Sequence, residues 1–379
     1  MDKKVVMSIA AMAALTLVSC SSDDLDSLSD NSSKNEAISF DGYLGRSAVA
    51  VNGSRGSVLD VTALQNSTEG FGVFGHYKEA NGKEFGSDLF NNQQVTYKAS
   101  AWTYSPLKFW PTQGHIDFLA YAPYDSKYVN KVTTDNQKID FTVNSTIKDQ
   151  KDLLWANNAV NQTKDNISGT GNKVKFQFKH ALSRLGYSVK LYKDFTSNNV
   201  EFRLKEITLA GSDPKSTTAS TTESAKAFYT NGTIDLSTGI WEKHSAGAGK
   251  QDFINWFSGP QDVTSATESK PYKNPTSDYL FVIPQNFSGN IGTTESPVAN
   301  PDKLYVIVEY DIHYKDINKT IPNKVYKQLT PNFLQGKAYM LNLTIGLPIE
   351  FDVDVTEGVE GWGTDENINI GSNDTPWER

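Results

Sequence analysis

Apolar and polar residues alternate at period two along most of this chain. That is the pattern of half-buried strands, with successive side chains pointing to opposite faces of a sheet. Ile38, Phe40 and Leu44 share one face of the first predicted strand, and Phe71 and Val73 share a face of the next. Further strands are predicted at residues 95–97, 102–104, 115–121, 138–143, 173–179, 185–192, 202–210, 279–284, 304–313 and 338–345, with Asn, Gly, Ser, Thr and Pro between them. Only 59–66 and 149–157 read as segments able to hold a helical turn, too short for a βαβ repeat. The expectation is therefore an all-β protein.

Near the C-terminus, Ile349, Phe351, Val353 and Val355 form one more apolar row, alternating with acidic residues. The Asp352, Asp354 and Glu357 spacing has the beginnings of a calcium loop. A strand with one solvated acidic face explains the same residues, and the apolar row favours it. A long stretch without a periodic face, residues 157–171, marks the boundary between two halves, each of a size natural for a β-sandwich. The expected organisation is a leader at 1–19, a tether at 20–36, and two tandem sandwiches at 37–172 and 173–379. Residues 211–226 and 244–274 read as surface loops of the second half.

Composition supports the β reading. The 379 residues include 17 Tyr, 19 Phe and 7 Trp, and β-branched and aromatic residues favour strands. Loss of residues 1–19, with Asp2, Lys3 and Lys4, takes the formal net charge from −8 to about −9, which disfavours nucleic acid as a partner.

The only cysteine is Cys20, and it closes Leu17-Val18-Ser19-Cys20 after a basic start (Lys3, Lys4) and an apolar run from Val5 to Val18. This arrangement resembles a bacterial lipoprotein signal, cleaved before an acylated cysteine. Several acyl chains, at about 0.8 kcal/mol per buried CH2, hold a protein on a membrane where one does not. With Cys20 acylated, no disulfide or thiolate metal site remains. The tether beginning Ser21-Ser22-Asp23-Asp24 is too poor in aromatic and β-branched residues to fold. Its acidity fits a solvated linker and equally resembles the signal that sends Bacteroidetes lipoproteins to the outer face of the outer membrane; Asp26-Ser27-Leu28 resembles an O-glycosylation sequon of the same bacteria.

Catalytic signatures are missing: there is no nucleophile elbow, His-Glu-x-x-His, phosphate loop or dinucleotide fingerprint, and the histidines at 76, 115, 180, 244 and 313 lack ligand spacing. No enzymatic activity, metal or cofactor is expected. Trp102, Tyr104, Phe109, Trp110, Phe118, Tyr121 and Tyr124 read mainly as core, with sugar-stacking platforms as the other reading.

Taken in order, several segments resemble the fimbrillins, subunits of the type V pili of Bacteroidetes. They are Ile38-Ser-Phe-Asp-Gly-Tyr-Leu-Gly-Arg46, Gly70-Phe-Gly-Val-Phe-Gly75, Trp102-x-Tyr104 with Lys108-Phe-Trp-Pro111, and Ile116-Asp-Phe-Leu-Ala-Tyr-Ala-Pro123. In the second half they are Phe178-Lys-His-Ala-Leu-Ser-Arg-Leu185, Phe281-Val-Ile-Pro-Gln285, Tyr339-Met-Leu-Asn-Leu343 and the region of Trp362.

The resemblance implies two sandwiches of transthyretin-like topology. It implies a lipidated precursor on the cell surface, a protease cut after an arginine near the first strand, and polymerisation as a neighbour's C-terminal segment fills the vacated groove, a case of β-augmentation. Arg55, in the small-residue stretch Asn52-Gly-Ser-Arg-Gly-Ser57, is preferred as the cut site over Arg46. The row Ile349, Phe351, Val353 and Val355 is the candidate donor strand, with 367–370 as a second candidate; pairing within its own domain is the alternative. The implied partners are other fimbrial subunits, the outer membrane before processing, and a host or bacterial surface ligand. A non-polymerising surface lipoprotein that binds glycan or protein is the competing function, and an exposed Trp241 or Trp256 beside a cleft is what would favour it.

Overall fold

A computed structural model describes residues 36–44, 59–79, 89–126, 137–167, 171–211, 228–242, 250–251, 253–264, 272–273, 279–288, 303–347, 352–358 and 365–368. As the alternation predicts, most of the described residues are in strands. One short α-helix, α1 (Val61–Asn66), is present, its N-terminus capped by the Asp60 carboxylate, which accepts from the Ala63 N–H at 2.6 Å.

The first sheet has seven strands: β1 (Phe40–Leu44), β2 (Phe71–Lys78), β3 (Phe90–Lys98), β4 (Ala101–Thr103), β5 (His115–Ala122), β7 (Leu154–Gln162) and β8 (Val174–His180), while β6 (Lys138–Thr142) lies in another. Their order is β1-β8-β7-β5-β2-β3-β4. The sheet curls until its end strands, β1 and β4, approach one another. It wraps a core of Phe40, Phe71, Phe90, Phe118, Phe176 and their neighbours. In β8 the period-two pattern is exact in outcome: Val174, Phe176, Phe178 and His180 are buried, and Lys175, Gln177 and Lys179 are exposed. This first sheet extends past residue 172, where the sequence pattern placed the boundary.

The second half contributes β9 (Ser183–Leu191), β10 (Val200–Ala210), β11 (Phe228–Tyr229), β12 (Asn231–Asp235), β13 (Trp241–Glu242), β14 (Lys250–Gln251), β15 (Phe253–Val263), β16 (Tyr272–Lys273), β17 (Leu280–Val282), β18 (Gln285–Asn286), β19 (Leu304–Tyr314), β20 (Lys319–Leu329), β21 (Asn332–Phe333), β22 (Ala338–Ile345), β23 (Asp352–Gly358) and β24 (Asp365–Ile368). One sheet runs β15-β10-β19-β20; another runs β16-β9-β22-β23-β24, with β17 also on β9. Side chains of both enter a single core that includes Leu185, Tyr187, Leu204, Val306, Tyr310 and Leu343, which makes the pair a sandwich.

The halves are joined by more than a linker. β6, from the first half, pairs antiparallel with β12 from the second, and β13 extends that sheet. A third core fills the junction, drawing Phe74, Phe141 and Trp155 together with Leu182, Trp241 and Phe281. The described residues from Ala37 onward accordingly group as one compact unit.

Three expectations are corrected. Residues 149–157 hold no helical turn beyond the 3-10 turn Ile147–Asp149, because β7 begins at Leu154. The expected loop 244–274 contains the eleven-residue β15. The strand β20, which the pattern did not predict, runs from Lys319 to Leu329. The loop predicted at 211–226 lies outside the described residues except for Gly211.

A polar tie crosses the outer face of the first sheet. Asp117 on β5 accepts the Asn161 N–H at 2.6 Å and pairs with Lys78 of β2 at 3.0 Å. Burial pushes its carboxyl up, but these two partners outweigh burial and hold it below the ordinary carboxylate range. Its contribution to stability is therefore full above the unfolded carboxylate pKa and is lost as pH falls through the lower folded value. Asp117→Asn is expected to flatten the acid limb of a stability–pH curve; an unchanged limb would refute this.

Candidate functional edge strand

β1 occupies the end of the first sheet and is a short strand with core side chains. It pairs parallel with β8, Phe40 opposite Val174 through Leu44 opposite Phe178. Ile38 and Phe40 are each 1% exposed. The Phe40 ring sits among Phe90, Tyr104, Phe118 and Phe176 at centroid separations of 5.3, 5.4, 5.6 and 5.7 Å. Burying such a ring and Ile38 contributes about 1.5–3 kcal/mol each.

The entry to β1 is held by backbone contacts. Ile38 N–H donates to the Lys108 carbonyl at 2.8 Å, and the Tyr104 hydroxyl donates to the Ile38 carbonyl at 2.7 Å. Burial pushes the Tyr104 hydroxyl up, against a smaller lowering by the Lys108 backbone, so it stays a donor at any physiological pH. Ala37 bridges to Phe109, whose side chain is exposed like those of Leu107 and Tyr43.

Beyond Leu44 the chain is next described at Leu59. There the Leu59 N–H donates to Asp152 Oδ2 at 3.3 Å, and the same oxygen meets His180 Nδ1 at 2.7 Å in a fully buried pair. The arginines proposed for cleavage, Arg46 and Arg55, lie in the intervening stretch and outside the described residues, as does Cys20. The firm features are thus the two ends of the stretch: an edge strand before it and a buried anchor after it.

For the predicted donor row, Val353 and Val355 fall in β23, opposite Leu343 and Leu341 of β22 in an antiparallel ladder. Ile349 and Phe351 lie outside the described residues. The second donor candidate at 367–370 is described only at Asn367 and Ile368, in β24, which pairs antiparallel with β23. Asp352 and Asp354 sit on an extended strand rather than a coiled loop, the conformation the apolar row favours. Among the described residues no group of three or more His, Cys, Asp or Glu is placed to hold a metal ion.

The other candidates resolve into packing. Trp102, Trp110, Phe118 and Tyr121 are buried, and Phe109 alone of that aromatic run is exposed. Trp241 and Trp256 are 1% and 4% exposed, so neither offers a stacking surface. A cleft of about 290 Å³ near Phe195, Glu201 and Asp262 contains carboxylates, but Glu201 pairs with Lys315 at 2.6 Å and Asp262 with Arg203 at 2.9 Å. These acids are about half exposed or more and each has its own cation, unlike the converging pair of a glycosidase.

Comparison with known proteins places the chain in a family. A family model described as fimbrillin-like matches residues 60–362. The fimbrium subunit Fim1C of Phocaeicola vulgatus is 26% identical over 399 aligned residues, covering 96% of this chain and 97% of its own. In structure, a fimbrial protein from Bacteroides vulgatus superposes with a TM-score of 0.62 at 20% identity, over 86% of this chain and 99% of its own, a likeness of fold. With the family match running from the helix after the edge strand to beyond β23, the chain belongs to the fimbrillin-like family.

Proposed function

We propose that this chain is made as a lipoprotein precursor and carried through acylated Cys20 to the outer face of the outer membrane. It is then cut after Arg55 or Arg46 and polymerised into a fimbria by strand exchange. Family membership supports a fimbrial subunit of the cell surface. The observation that carries the finer reading is β1: a five-residue strand at the end of its sheet, with Phe40 packed against four aromatic rings, immediately before the stretch that contains both arginines. Removing it uncovers an apolar groove and the unpaired edge of β8, a state stable only when another strand fills it.

The tandem sandwiches of transthyretin-like topology belong to the same reading, with other fimbrial subunits as partners and adhesion as the role of the assembled fibre. The competing glycan- or protein-binding lipoprotein finds no support in Trp241 or Trp256, both buried.

Intact mass and N-terminal sequence of the protein recovered from the host surface test the proposal. A chain beginning after Arg55 or Arg46, free of lipid and in large assemblies, is the expected result. An acylated, monomeric chain beginning at Cys20 would overturn polymerisation. If Arg55 is the cut site, Arg55→Ala keeps the precursor length while Arg46→Ala is processed normally; the reverse result moves the site to Arg46.

A further inference from the structure

Leu107 and Phe109 are 57% and 45% exposed. Single apolar residues at a surface are ordinary, but the backbone under this pair is fixed at several points. The Tyr104 hydroxyl accepts the Lys108 N–H at 3.2 Å and donates to the Ile38 carbonyl, Gln93 Nε2 donates to the Ser105 carbonyl at 3.3 Å, and Phe109 bridges Ala37. Next in sequence, Trp110 turns inward, 8% exposed, with its ring 6.2 Å from that of Phe118. The two side chains are thus held outward on a preformed turn, with the partly exposed Lys108 between them.

Their place in the fold points to an occupant. β1 runs parallel to β8, and β8 leads into Ala181 and Leu182 of the junction core. Ala37, just before β1, and the 107–109 turn beside it therefore lie at the end of the first sheet that points away from the junction. The chain also arrives here from Cys20. Residues 20–37 can span at most roughly 60 Å, so whatever surface holds Cys20 is concentrated around this end of the sheet.

We propose, resting on the lipoprotein reading above, that Leu107 and Phe109 dip into the lipid surface that holds acylated Cys20, and that this docking sets the orientation of the precursor. The apolar pair enters the boundary between headgroups and acyl chains, and Lys108 lies among the lipid phosphates. Such a pair is too small to hold a protein at a membrane by itself. Beside acyl chains that already supply the attachment, it need only select which end of the protein faces the lipid. β1 then leads away from the surface, because Ile38 to Leu44 is up to about 20 Å along an extended strand. Docking therefore presents to solvent the end of β1 that precedes both arginines.

The test uses the full-length acylated chain in vesicles of phosphatidylethanolamine and phosphatidylglycerol. With Cys20 acylated, Leu107→Cys supplies the only free thiol for a polarity-sensitive fluorophore, and Ile317→Cys, 66% exposed between β19 and β20, is the control. The expected result is a blue-shifted 107 label, quenched by nitroxide-bearing lipid about fivefold more than the 317 label. Phe109→Ser, a change at an exposed side chain, returns the 107 label to its emission in water.

Labels at 107 and 317 that respond alike on an acylated chain would overturn docking and spare the lipoprotein reading. A chain isolated from its host with no acyl group on Cys20 would overturn that reading, and docking with it. In a chain carrying Cys20→Ser and Leu107→Cys, a label that becomes shielded without vesicles as protein concentration rises would assign the pair to a second copy of the chain and overturn lipid as its occupant.

Discussion

Phe40→Ala is expected to cost about 3–5 kcal/mol at its site, the range for emptying a buried aromatic position, and to express that loss locally. Phe40 is 1% exposed and touches four rings, yet its strand has a hydrogen-bonded sheet neighbour on one side only. When a core ring is anchored by an edge strand, the lowest-energy response to its loss is detachment of that strand, not collapse of the sheet. Amides in β1 and those of β8 that face it should exchange faster by about 10²–10³-fold, while amides of β10 and β19 in the second half hold their protection. Cleavage by an arginine-specific protease in the 45–58 stretch should accelerate in parallel. A uniform acceleration through both halves would mean that β1 is not a separable unit. No change at all would mean that the Phe40 site is not part of the core.

The strands that were legible in the sequence are those with a clean period of two and no turn residue inside. β8 is the clearest, with Val174, Phe176 and Phe178 in and the lysines out. Two of the three misread strands share a cause. β15 contains Gly259-Pro260 and β20 contains Pro322, and each lies at an end of the four-stranded sheet, where proline needs no inward partner. Three lysines on β20, at 319, 324 and 327, further disguise it as loop while guarding the edge against pairing.

β7 reads as linker because of Asn157, Asn158 and Asn161, but its small Ala156 and Ala159 are what let it pass beside Ala120 and Phe118 of β5 with two register shifts. A sequence pattern shows which face is apolar and does not show which strand lies at an edge. For the candidate site, the Ile38–Phe40 face was legible, whereas its four-ring enclosure depends on contacts from β3, β5, β8 and the turn after β4. Those contacts join residues as far apart as 40 and 176. The pairing of β6 with β12 was likewise out of reach, since nothing in either pentapeptide points to the other.

That pairing underlies the second large effect. Trp241→Ala is expected to lower stability by about 3–5 kcal/mol and to uncouple the two halves. Trp241 is 1% exposed, donates its indole N–H to the Ala181 carbonyl at 2.8 Å and packs on Phe141 of β6. It thus touches the crossing from β8 to β9 and the sheet that joins residues 138–142 to 231–235 at once. Alanine leaves a cavity there and removes the donor from a buried carbonyl, two costs that fall on the junction and on neither main core. In the intact protein, probes in the first sheet and in the second sandwich should report one coincident denaturant transition. In the variant the two should separate, with the half of lower intrinsic stability melting first. A single transition displaced as a whole would show that coupling runs through the main sheets. An undisplaced transition would show that the junction carries no stability.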